Sequence, residues 1–171
     1  MKLTTKQLTL CGILTTLALA LSVMENQIPL AAAIPLPGIK LGLANIVTVF
    51  ALYALGAGQA VLILVARCIL GAVFAGNMNA MIFSVLGGVT AMLVMILLSR
   101  SKKLSVYGVS IGGAAGHNCG QIAAAMITLG NTAPLYYLPI LLGVSLGTGA
   151  VTGLVCAGVF RTLNRTGLMK G

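Results

Sequence analysis

The sequence predicts an all-α integral membrane protein with six transmembrane helices and both termini in the cytoplasm. Of its 171 residues, 59% are apolar and 6% are charged, whereas an ordinary soluble domain is about 25% charged. The ten Lys and Arg residues are scattered between long apolar runs, while a nucleic-acid partner would need them gathered on one exposed face. We therefore expect the lipid bilayer, and no nucleic acid, to surround this chain.

The apolar runs are separated by polar residues, and their spacing predicts the spans. A helix that crosses about 30 Å of hydrocarbon needs roughly 20 apolar residues. Six runs qualify, with a short second run and long fifth and sixth runs: residues 7–28, 41–56, 59–75, 80–99, 105–130 and 135–160. The second and third runs are predicted to be separate helices because Gly56, Ala57 and Gly58 interrupt them.

The cations support an even number of spans. Lys and Arg near span ends collect on the cytoplasmic side of a membrane. Eight of the ten cations fall into three clusters, before the first run, after the fourth and after the sixth: Lys2, Lys6, Arg100, Lys102, Lys103, Arg161, Arg165 and Lys170. This pattern predicts a multi-pass protein of the cytoplasmic membrane, whose first run is an anchor and not a cleaved signal.

Catalysis, metals and cofactors are not expected. The chain has one Glu and no Asp, so it cannot build the carboxylate site that holds Mg²⁺ in prenyl transfer or ATP hydrolysis. No Walker A, G-x-S-x-G or H-E-x-x-H motif occurs. Four isolated cysteines show no metal-ligand spacing and are interpreted as packing residues: Cys11, Cys68, Cys119 and Cys156.

Two cations lie away from the cytoplasmic clusters, and they predict a ligand site. Arg67 is eight residues into the third run, about 12 Å along a helix, where an unpaired charge is costly. Lys40 follows a proline-rich segment after Glu25, which is the single carboxylate of the chain. If both cations face one cavity, a positive charge remains for a phosphate or carboxylate ligand. Alternatively, Glu25 pairs with Arg67 and Lys40 reaches the lipid head groups.

Deep amide and imidazole groups extend this candidate site. His117 and Gln121 are four residues apart and share one face of the fifth helix, with Asn118 beside them. Asn45 lies inside the second run. These four residues are predicted to orient the polar part of the ligand, while the segment after Glu25 covers it, although a single intramembrane His is also compatible with simple packing.

Small residues recur every four positions in two helices, at Gly12, Thr16 and Ala20 and at Gly112, Gly116 and Gly120. Such stripes let helix backbones approach closely in lipid. They are compatible with packing inside the protein or with docking of another membrane protein.

Three strings carry a family resemblance: Pro37-Gly38-Ile39-Lys40-Leu41-Gly42-Leu43-Ala44-Asn45, Gly116-His117-Asn118-Cys119-Gly120-Gln121 and Tyr136-Tyr137-Leu138-Pro139. With them, the chain resembles the heptaprenyl diphosphate synthase component I family, also called the Gx transporter family. That family is similar to the substrate-binding S components of energy-coupling factor (ECF) transporters.

The resemblance implies a six-helix S-component-like bundle that captures a small solute and docks on a T component driven by two ATPase subunits. It implies that Gly12, Thr16 and Ala20 face the T component. The chain has no Trp, so stacking on a ligand ring could come only from Phe or Tyr, such as Tyr136 and Tyr137.

Three functions follow as hypotheses. The first is an S component for a small, anionic or phosphate-bearing solute, such as a vitamin, a flavin or an isoprenoid-related compound. The second is a non-catalytic membrane accessory subunit in heptaprenyl diphosphate or quinone synthesis, and the third is a scaffold without a ligand.

Overall fold

The structure, a computed structural model, describes residues 4–25, 27, 42–76, 78–101 and 103–166. Within these ranges the chain is helical and contains no strand. The helices follow in the order α1 Thr5–Glu25, α2 Asn45–Ala54, α3 Ala57–Ala75, α4 Met78–Ser99, α5 Val106–Leu129 and α6 Leu138–Arg165, with the short 3₁₀ helix Ala133–Tyr137 before α6. The all-α prediction is confirmed for the described residues.

The helix boundaries follow glycine and proline. Gly56, with φ 97°, separates α2 from α3, as the sequence predicts. Gly76 and Gly130 end α3 and α5 in the left-handed conformation that favours glycine. Pro139 lies in the first turn of α6, where a missing N–H costs little.

Four helical segments are long and apolar enough to cross a membrane: Thr5–Glu25, Ala57–Phe74, Met78–Ser99 and Ala133–Arg165. The predicted second span is shorter than expected. The ten residues of α2 cover about 15 Å, half of the hydrocarbon thickness. Helix α5 has the length of a span, but polar residues in its middle lower its mean hydropathy.

Helix α5 is the most enclosed element, because it packs extensively on both α4 and α6. Its glycines allow this proximity. A Cβ added at Gly120 would lie 2.8 Å from the Cα of Gly87, and one at Gly116 would lie 3.1 Å from the carbonyl oxygen of Thr90. The stripe Gly112, Gly116 and Gly120 therefore packs against α4, in agreement with its interpretation as a packing surface inside the protein.

Helices α1, α2 and α3 complete the bundle around a shared apolar core. Helix α1 contacts α3 and α2, and α2 also contacts α4, α5 and α6. The largest cluster of buried apolar side chains draws on all six helices and includes Leu14, Val49, Ile63, Met95, Val109 and Cys156. This arrangement brings the ends and middles of five helices to one polar region.

Candidate functional site

Glu25, the last residue of α1, connects α1 to the start of α2. Its carboxylate is 3% exposed. One oxygen accepts a hydrogen bond from the backbone N–H of Gly42, and the other accepts from the N–H of Leu43 at 3.1 Å. Both donors lie just before α2, where backbone N–H groups lack helical partners and a negative charge is favourable. Glu25 thereby fixes the start of α2 against the end of α1.

Arg67 lies on α3 and is 7% exposed. Its Nη1 donates to Ser22 Oγ at 3.4 Å, one helical turn before Glu25. Its Nε and Nη2 atoms have no hydrogen-bond partner among the described residues. Ser22 and Glu25 are three residues apart on one face of α1, so the contact with Ser22 brings Arg67 to the end of α1 that carries Glu25.

Two consecutive glycines on α4 lie beside His117 and Arg67. A Cβ added at Gly87 would lie 2.9 Å from His117 Nδ1, so His117 packs where only a glycine fits. A Cβ added at Gly88 would clash with Leu64 Cδ1 at 2.6 Å and would lie 3.4 Å from Arg67 Nη2, which places the guanidinium group next to α4.

His117 and Asn45 meet at Gly42. A Cβ added at Gly42 would lie 2.8 Å from Asn45 Nδ2 and 3.2 Å from His117 Cδ2. Both side chains are buried, and neither Oδ1 nor Nδ2 of Asn45 has a hydrogen-bond partner in the described ranges. Gly42 has a φ of 84°, a conformation that glycine adopts without strain.

Gln121 joins this region from the next turn of α5. Its side chain is fully buried, and its Cγ would lie 3.2 Å from a Cβ at Gly87. The predicted shared face of His117 and Gln121 is therefore present. We call Ser22, Glu25, Asn45, Arg67 and His117, with Gln121 at its edge, the buried polar cluster.

Two predicted site residues have other surroundings. The Nδ2 of Asn118 donates to the carbonyl oxygen of Leu141 at 2.7 Å, so this side chain joins α5 to α6. Tyr137 is half-buried and packs against the apolar pair Ile122 and Leu141. Lys40 and the proline-rich segment predicted as a lid lie outside the described residues.

The predicted docking stripe on α1 is exposed. Gly12, Thr16 and Ala20 all lie on the outer surface of the bundle, and a Cβ at Gly12 would have no heavy atom within 4 Å. In contrast to the stripe on α5, this one has no partner helix within the described part of the chain.

The sequence analysis missed four residues of this region. Ser22 accepts a hydrogen bond from Arg67, and Gly42 donates one to Glu25. Gly87 and Gly88 lie beside His117 and Arg67. Ser22 was detectable, because it lies three residues before Glu25 and therefore on the same face of α1. The Gly87-Gly88 pair in an otherwise apolar helix was a further indication of close contact.

A helical bundle with apolar outer surfaces and a buried polar cluster defines a multi-pass membrane protein. The family model for heptaprenyl diphosphate synthase component I matches residues 14–159, which is most of the chain. This chain therefore belongs to the heptaprenyl diphosphate synthase component I family. No curated protein and no solved structure matches it.

Proposed function

We propose that this chain is a non-catalytic membrane subunit of a heptaprenyl diphosphate system, and that it holds an anionic ligand for a separate partner protein. The family name supports a role as one component of several. The observation that supports an anionic ligand is the buried guanidinium of Arg67, two of whose nitrogen atoms lack partners among the described residues.

The charges favour an anion at this place. Both oxygens of Glu25, the single carboxylate in the sequence, accept backbone N–H bonds from Gly42 and Leu43. A guanidinium offers five N–H donors in a fork that matches a carboxylate or a phosphate. A phosphate or carboxylate of the ligand would accept hydrogen bonds from the Nε and Nη2 atoms of Arg67, which have no partner among the described residues.

The catalytic step is assigned to the partner. Prenyl transfer depends on Mg²⁺ and the carboxylates that hold it, and this sequence offers one carboxylate that already binds backbone amides. The subunit would bind, orient and present the ligand. A prenyl diphosphate synthase is the partner that this function predicts.

The proposed topology has six crossings, with both termini in the cytoplasm and the protein in the cytoplasmic membrane. Helix α5 is enclosed by α4 and α6, so its polar residues need not face lipid. Helix α2, with ten residues, would cross only part of the bilayer by itself.

Binding of inorganic diphosphate to the purified protein in detergent tests this function. We expect binding by the wild type and by Arg161→Met, because Arg161 is exposed near the end of α6. We expect loss of binding in Arg67→Met. Equal binding of diphosphate by both variants would contradict the proposal. The proposal would also be contradicted if no prenyl synthase copurified with the tagged protein.

A second candidate function is the S component of an ECF transporter for a small solute. The exposed stripe Gly12, Thr16 and Ala20 supports it, because small residues on an outer helix face allow close docking of another membrane helix. This function predicts copurification with a T component and two ATPase subunits. Ala20→Leu should then abolish that copurification, while Leu17→Ala, at an exposed α1 position outside the stripe, should preserve it.

A further inference from the structure

Asn45 is a buried residue whose side-chain amide makes no hydrogen bond to the described residues. It is the first residue of α2 and is 4% exposed. An Asn near a helix start commonly caps the helix through its side chain, but α2 has no side-chain cap. Both Oδ1 and Nδ2 lack a hydrogen-bond partner in the described part of the chain.

Within the buried polar cluster, Asn45 lies against Gly42. Gly42 carries no Cβ, and one placed there would lie 2.8 Å from Asn45 Nδ2. The same glycine donates its N–H to Glu25 at the end of α1, and Arg67 donates to Ser22 one turn earlier on α1. The last turn of α1 therefore lies between the unpaired amide of Asn45 and the guanidinium with its two unpaired nitrogen atoms.

We propose that the ligand of this site has two adjoining parts, an anionic group that binds Arg67 and a neutral group that binds Asn45. The neutral group must both donate and accept a hydrogen bond, as a carboxamide, a ureide or a hydroxyl does. This inference rests on the proposed ligand-binding function and narrows its ligand class. An ionised prenyl diphosphate offers acceptors and an apolar chain, so it would leave the acceptor Oδ1 of Asn45 without a donor.

Oxamate and pyruvate test the second part of the ligand. The two have the same size and charge, but oxamate carries an amide NH₂ where pyruvate carries a methyl group. The full chain in detergent is titrated with each compound, and the shift in melting temperature gives the affinity. We expect oxamate to bind the wild type about tenfold more tightly than pyruvate, a ratio that corresponds to about 1.4 kcal/mol.

Asn45→Leu should remove this preference, so that both compounds bind with equal affinity. Asn118→Leu is the matched control, because Asn118 is equally buried but donates to Leu141. It should keep the preference for oxamate. Without any ligand, Asn45→Leu should melt at or above the temperature of the wild type, since it removes an unsatisfied buried group, whereas Asn118→Leu should melt below it.

Equal affinity of the wild type for the two compounds would overturn this inference, and so would a lower melting temperature of Asn45→Leu without ligand. Neither of those results affects the proposed function, which requires only an anion at Arg67. If neither compound shifts the melting temperature of the wild type, the inference fails, and the titration with inorganic diphosphate decides the proposed function separately. If Arg67→Met responds to oxamate and pyruvate as the wild type does, the proposed function fails together with the inference.

Discussion

Replacement of Gly120 by Ala is expected to force α4 and α5 apart. The new Cβ would lie 2.8 Å from Gly87 Cα and would also meet Leu86 O and Thr90 Oγ1. Carbon atoms pack best at about 3.5–4.0 Å, so the two backbones must separate by about 1 Å. Neither backbone can turn aside as the end of a flexible side chain can.

Three contributions determine the change in the free energy of unfolding, two of them unfavourable and one favourable. Overpacking of a tight contact costs about 1–3 kcal/mol. Separation also weakens the hydrogen bond from Thr90 to the carbonyl oxygen of Gly116, which is 2.8 Å long, and bonds between helices in a membrane average about 0.6 kcal/mol. The higher helix propensity of alanine stabilises the variant by up to about 1 kcal/mol. The free energy of unfolding should therefore fall by about 2 kcal/mol.

Gly143→Ala is the matched control. Gly143 lies inside α6, and a Cβ there would have no heavy atom within 4 Å. This variant keeps the gain in helix propensity without the overlap, so its free energy of unfolding should rise by up to about 1 kcal/mol. Unfolding of both variants by sodium dodecyl sulfate in mixed micelles, followed by circular dichroism, gives the difference. Equal stability of the two variants would refute the close α4–α5 contact.

Three further variants test the ties around the buried polar cluster. Glu25→Gln replaces an accepting oxygen by an NH₂ group that faces backbone N–H donors, so the free energy of unfolding should fall by about 1.5–3 kcal/mol; unchanged thermal unfolding would argue against the link to Gly42. Thr90→Val removes the hydroxyl that contacts α5 and should cost about 0.5–1.5 kcal/mol, measured in the same detergent titration. Gly42→Ala should cost more than Gly76→Ala in a thermal melt, because both glycines have positive φ but a Cβ at Gly42 also meets Asn45.

The helices of the described residues and the pairing of side chains within one helix were accessible from the sequence. Runs of apolar residues predicted each helix, and the glycines around Gly56 predicted the break between α2 and α3. The four-residue spacing of His117 and Gln121 placed both on one face because α-helical geometry is nearly constant. Such inferences depend on neighbours within two turns of the same helix.

Contacts between distant parts of the chain were not accessible. The link from Glu25 to Gly42 spans 17 residues and depends on where α2 begins. The apolar run predicted a span from residue 41, but α2 begins at Asn45. Asn118 follows His117 directly, but adjacent residues lie about 100° apart on a helix, so it faces α6. Whether a glycine stripe is internal depends on helix packing, which explains why the stripes of α1 and α5 differ.

The enclosure of α5 has a consequence for how the protein reaches its membrane. A helix that carries His117, Asn118 and Gln121 partitions poorly into lipid by itself, because each amide or imidazole needs a hydrogen-bond partner inside the membrane. Its neighbours α4 and α6 immediately precede and follow it along the chain. Stable insertion of α5 should therefore wait for synthesis of α6, and a nascent chain truncated after Gly130 should leave this helix at the membrane surface or beside the translocon.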